Sequence, residues 1–133
     1  MKMMEIRYSA KEDIDITGTS IEFQKLHHVL LSLIDGKKRF LYVETSTGFD
    51  PAPYDSCLKG IEFRRNDTNK IFSNGTYLVI QGTNEFLENL ALNLPRDKEA
   101  ESSCTSCHIH YDWISFGQYL PEGSTGLILT LIY

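Results

Sequence analysis

The run Leu127-Ile128-Leu129-Thr130-Leu131-Ile132-Tyr133 limits what this chain can fold into more than any other stretch. It is too short for a helix of ordinary length and too apolar for a strand with one wet face. It therefore suits a strand covered on both sides, in the middle of a sheet or at a subunit interface. Upstream, His108-Ile109-His110-Tyr111-Asp112-Trp113 alternates polar with apolar. Successive strand residues point to opposite faces, so His108, His110 and Asp112 share one face and Ile109, Tyr111 and Trp113 form the core face. These two segments read as strands joined by a turn, and the rest of the chain is expected to pack on them.

Two helices precede the pair. Thr19 with Glu22 three residues later has the pattern of a capping box, and Leu26, Val29, Leu30, Leu33 and Ile34 follow at helical spacing. Gly36 then predicts a left-handed C-cap. The second helix starts at Asn84, carries Phe86, Leu87, Leu90, Ala91 and Leu94 on one stripe, and stops at Pro95. Strands are predicted at Glu5 to Ser9, Ile14 to Thr17, Arg39 to Thr45, through Ile61, Phe63 and Arg65, and at Tyr77 to Gln81. Asn74-Gly75 marks a tight turn before the last of these. Ile14-x-Ile16-x-Gly18-Thr19 lines up without gaps on Leu78-x-Ile80-x-Gly82-Thr83, so a strand running through a glycine turn into an amphipathic helix is written twice. The chain thus reads as one α+β domain over 1–133, a mostly antiparallel sheet with two helices packed on one face. Internal duplication of a strand-strand-helix-strand unit, in halves 1–56 and 57–133, is the natural reading of the echo.

A chain of 133 residues is long enough to bury a sizeable core without a metal or disulfide. Its formal net charge of -5 disfavours nucleic acid and anionic membrane, because binding phosphate calls for a basic patch. No run of about 18 apolar residues occurs and the charged N-terminus does not resemble a signal peptide, so a cytoplasmic protein is expected. Cys57, Cys104 and Cys107 fit reduced thiols there.

Cys104-Thr105-Ser106-Cys107-His108 has the spacing of a c-type haem attachment. That chemistry belongs to exported proteins, and the motif runs straight into a strand, so no cofactor is expected. Cys104, Cys107, His108 and His110 have the donor types zinc prefers, yet all four lie within seven residues, where structural sites draw a second pair from afar. His108 and His110 stand about 6.5 to 7 Å apart on one strand face and could bracket a metal with Asp112. A polar face turned toward solvent or a partner explains them more simply, and no metal site is assigned. His27 and His28 are expected at the surface of the first helix, and Cys57 as a packed apolar side chain. The carboxylates Glu12, Asp13, Asp15, Glu85, Glu88, Glu99 and Glu101 keep the chain soluble or steer it onto a basic partner.

The helix Gly82-Thr83-Asn84-x-Phe86-Leu87-x-x-Leu90-Ala91-x-x-Leu94 is followed by His108-Ile109-His110-Tyr111-Asp112, by Tyr119-Leu120 and Ser124, and by Leu127-Ile128-Leu129. In order and spacing this resembles the bacterial immunity-protein family numbered thirty-two. The match covers about the last sixty residues; the stretch Lys37 to Ser73 and the cysteines depart from the pattern. The resemblance implies a non-enzymatic antidote that binds and occludes a cognate toxin of a polymorphic toxin system. An acidic inhibitor would suit a basic nuclease toxin. The residues expected to face that partner are His108, His110, Asp112 and the loop aromatics Phe116 and Tyr119. A metal-dependent enzyme, and a homodimer paired through a bare strand Leu127 to Tyr133, are the competing readings.

Overall fold

The structure, a computed structural model, describes residues 4–36, 38–96 and 106–132. Within them the elements run β1 (Glu5–Tyr8), β2 (Ile14–Thr19), α1 (Ser20–Asp35), β3 (Phe40–Glu44), β4 (Ser56–Cys57), β5 (Gly60–Arg65), β6 (Lys70–Ser73), β7 (Tyr77–Gly82), α2 (Asn84–Leu92), β8 (Ser106–Tyr111) and β9 (Leu127–Ile132). The fold is α+β. None of its described helices is long and apolar enough to cross a membrane.

Local signals set the helices. Thr19 Oγ1 accepts from Glu22 N at 3.2 Å while Glu22 Oε1 accepts from Thr19 N at 2.9 Å, the reciprocal capping box that begins α1. Thr83 caps α2 by accepting from Phe86 N. Gly36 corrects the predicted left-handed cap: its backbone is extended. Glycine is needed there for space, because a Cβ would sit 2.6 Å from the Ser32 carbonyl oxygen. His27 is also not at the surface. It is buried, with Nδ1 3.0 Å from the Ala91 carbonyl oxygen, and so ties α1 to α2.

The strands form two sheets where one was expected, with orders β4-β1-β2-β9-β8 and β3-β5-β7-β6. Each is mixed: β2 pairs in parallel with β9, β5 pairs in parallel with β7, and the other neighbours are antiparallel. The run from Leu127 is therefore in the middle of a sheet with both edges occupied, as expected, but the expected cover on both faces is absent: on its outer side Ile128 is half-buried and Ile132 is 40% exposed. The run is not the bare strand that was expected for a homodimer, since neither of its edges is free.

The connectivity interlocks the two halves of the chain. Hairpin β1-β2 leads into α1 and then to β3 and β5; hairpin β6-β7 leads into α2 and then to β8 and β9. Each sheet holds the first hairpin of one half and the last two long strands of the other. The topological boundary falls between Arg65 and Lys70, later than the 56/57 division read from the sequence. Both halves feed one apolar cluster that includes Ile14, Ile16, Leu127 and Leu129 from the first sheet, Ile61, Phe63, Leu78 and Ile80 from the second, and Phe23, Leu30, Phe86 and Leu90 from the helices. Helix α1 lies along α2 and touches strands of both sheets.

Candidate functional site

With Ile14, Ile16, Leu127, Leu129 and Tyr111 turned into the core, alternation forces the intervening residues onto the outer face of the five-stranded sheet. The register sets them in two rows across four strands. Glu5, Thr17, Thr130 and His108 make one, and Arg7, Asp15, Ile128 and His110 the other. A hydrogen-bonded chain links most of them. Arg7 bonds Glu5 at 2.9 Å and donates to Thr17 Oγ1 at 3.2 Å; Thr17 and Thr130 both donate to Asp15, Thr130 at 2.9 Å; and His108 Nδ1 lies 2.9 Å from Thr130 Oγ1. A hydroxyl has one proton, and that of Thr130 goes to Asp15. Nδ1 of His108 must therefore carry the hydrogen, and its other ring nitrogen is left outside the network. Asp15 is 8% exposed, and among the described residues no Lys or Arg nitrogen comes within 4.0 Å of it.

A second cluster sits beside the end of the second row. Ligand-type atoms of Asp13, His110 and Asp112 lie within 4.8 Å of one another. Asp13 comes from the β1–β2 turn, His110 from β8, and Asp112 from the residue after β8 ends. Gly126 joins them. Its N–H donates to Asp13 Oδ1 at 3.1 Å, and a Cβ on it would meet Asp112 Cβ at 2.8 Å, so Asp112 packs against the residue that holds Asp13 because this position lacks a side chain. Asp112 Oδ1 also accepts from Ser115 N at 3.0 Å. Next to the cluster lies a cleft of about 450 Å³ lined by Glu12, Asp13, Pro53, Tyr54 and Ile128. Burial pushes the Tyr54 phenol above its ordinary range, and Asp15, Glu12 and Asp13 push it further, with Arg7 opposing. This end of the face is electronegative.

The structure thus separates the residues that the sequence grouped. His108 and His110 are both exposed, yet His108 turns to Thr130 while His110 stands with Asp13 and Asp112. No two-histidine, one-carboxylate set forms among the described residues. Phe116 and Tyr119 are half-buried: Phe116 stacks on Tyr111 at 4.2 Å, and Tyr119 is tilted against Phe86 at 6.4 Å. Both rings brace the core. The apolar side chain left in solvent next to Asp112 is Ile114, 76% exposed. Cys104 lies outside the described residues, and the zinc and haem readings of the cysteine pair lie there with it. Cys57 is half-buried, its thiol 3.3 Å from the Thr47 carbonyl oxygen.

Asp13, Asp15, Thr130 and Gly126 are absent from the site read in the sequence. Asp15 carried a signal, a charge inside the alternation Ile14-Asp15-Ile16. The others depend on a parallel pairing of segments more than a hundred residues apart, which no local pattern encodes. The outer face of the second sheet is different, with Phe40 59% and Tyr42 45% exposed, the Tyr42 ring edge-on to Tyr77 at 5.3 Å, and Lys70 over Phe72. No family model, curated protein or solved structure matches the chain.

Proposed function

We propose that this chain is an immunity protein that binds a cognate bacterial toxin in the cytoplasm and occludes it without turnover. The resemblance of residues 82–129 to such proteins motivates the reading. The single structural observation in its favour is the outer face of the five-stranded sheet, where Glu12 and Asp13 line a cleft, Asp112 stands beside Asp13, and neither these nor Asp15 has a described Lys or Arg in salt-bridge contact. An inhibitor gains from carboxylates already fixed by backbone amides and hydroxyls, because little side-chain freedom is lost when a basic surface docks. Ile114 beside Asp112 supplies an apolar anchor of the kind that dominates interface energetics. On this reading His108, His110 and Asp112 are partner-facing, joined by Asp13 and Ile114, while Phe116 and Tyr119 support the loop that carries Asp112 and Ile114. A basic nuclease toxin is the partner that the charge fits best.

The test is co-expression with the product of the neighbouring gene. The intact chain is expected to rescue growth from that product and to co-purify with it. A double reversal, Asp13→Lys with Asp112→Lys, is expected to abolish rescue while leaving the thermal melt of the isolated chain cooperative. A neighbouring product that is harmless, or that the chain fails to bind, would overturn the reading.

A further inference from the structure

We propose that Asp13, His110 and Asp112 form a binding site for one divalent first-row transition cation, of the Mn²⁺ or Zn²⁺ class, at the rim of the five-stranded sheet. Two segments far apart in sequence, the β1–β2 turn with Asp13 and the end of β8 with His110 and Asp112, bring one imidazole and two carboxylates within 4.8 Å of one another. Bonds of about 2.1 Å place the donor atoms of a bound cation about 3.0 to 3.4 Å apart. The remaining difference is within reach of side-chain torsions, since His110 is exposed and the two aspartates are partly so. A mixed nitrogen and oxygen donor set selects this class, because imidazole disfavours Mg²⁺ and Ca²⁺ relative to transition ions.

Two features separate this cluster from ordinary surface acids. Each carboxylate is oriented through one oxygen, Asp13 by the Gly126 amide and Asp112 by the Ser115 amide, which leaves the other oxygen of each available. Asp112 packs directly on Gly126, whose amide holds Asp13, so one residue without a side chain keeps the two like charges near each other. Glu12 and Asp15 add to the same field, and no described Lys or Arg forms an ion pair with any of the four. A cation relieves that repulsion. The adjoining cleft of about 450 Å³ leaves room for water to complete its coordination. The site does not rest on the toxin reading; a chain with no toxin partner would still bind the ion.

The experiment uses the full chain with Cys104→Ser and Cys107→Ser, which removes competing thiolates. After treatment with a chelator and dialysis it is titrated with Mn²⁺, and the free ion is followed by electron paramagnetic resonance. Saturable binding of one ion per chain is expected, with Zn²⁺ displacing it. His110→Ala and Asp112→Asn are each expected to weaken binding at least about tenfold, while His28→Ala, on the exposed side of α1, leaves it unchanged. Thermal melts of each variant confirm that a loss of binding is not a loss of fold. Absence of saturable Mn²⁺ and Zn²⁺ binding, or a His110→Ala protein that binds as tightly as its parent, would overturn the assignment.

Discussion

Thr130 carries more than its size suggests. It is 7% exposed, donates to Asp15, and accepts from His108 across two strand neighbours. Thr130→Val keeps the shape and removes both bonds, so Asp15, a nearly buried carboxylate, loses one of its two hydroxyl donors. A cost of about 1–3 kcal/mol is expected in urea denaturation. Tyr111 also commits a polar group to the interior: its hydroxyl donates to Asn89 Oδ1 at 2.6 Å and its ring is fully buried. Burial raises this phenol far above its ordinary value of 10.0. Above pH 10 the unfolded chain releases the proton and the folded chain keeps it. Stability is therefore intact below pH 10 and falls above it, by up to about 1.4 kcal/mol per pH unit. Tyr111→Phe should make that alkaline decline shallower, as read from chemical denaturation at successive pH values.

Among the elements, the helices were legible because their signals are local. Thr19 with Glu22, the spacing of Leu26, Val29, Leu30, Leu33 and Ile34, and Pro95 after the second stripe all act within a few residues. The apolar run of β9 pointed to the middle of a sheet or to a subunit interface, and the structure places it in the middle of a sheet. Of its two neighbours, β8 was legible as its partner and β2 was not: Asp15 lies opposite Ile128 and Thr17 opposite Thr130 only because β2 and β9 run parallel. Nothing in either segment specifies that pairing, and this is why Asp13 escaped the site read from the sequence. The helix echo at Gly18-Thr19 and Gly82-Thr83 was visible. The exchange of strand pairs that accompanies it was not, since alternation reports which face a residue takes and is silent about which sheet receives it. Gly126 tests how the elements are stitched together. Gly126→Ala must push Asp112 away from its place beside the β1–β2 turn, with a cost of about 1–3 kcal/mol and weaker Mn²⁺ binding in the titration described above.

At the scale of the whole molecule, the two outer sheet faces differ in character. One is a hydrogen-bonded polar field ending in carboxylates, and the other presents Phe40, Tyr42 and Phe72 with Lys70. If the acidic face meets a basic toxin, association should slow steeply with added salt, because steering between opposite charges is screened within about 8 Å at physiological ionic strength. Stopped-flow association rates that ignore salt would place the contact elsewhere. The interlocked halves make a separate demand. A single cut in the exposed segment Asn66 to Thr68 should leave both fragments in one complex on gel filtration, because each sheet keeps strands from both. There is also a consequence for biosynthesis. The edge of β2 that β9 will occupy has no partner until residue 132 has left the ribosome, so the nascent polypeptide carries an unfinished apolar sheet while more than a hundred residues are added after β2. That makes the emerging chain a natural client for chaperones.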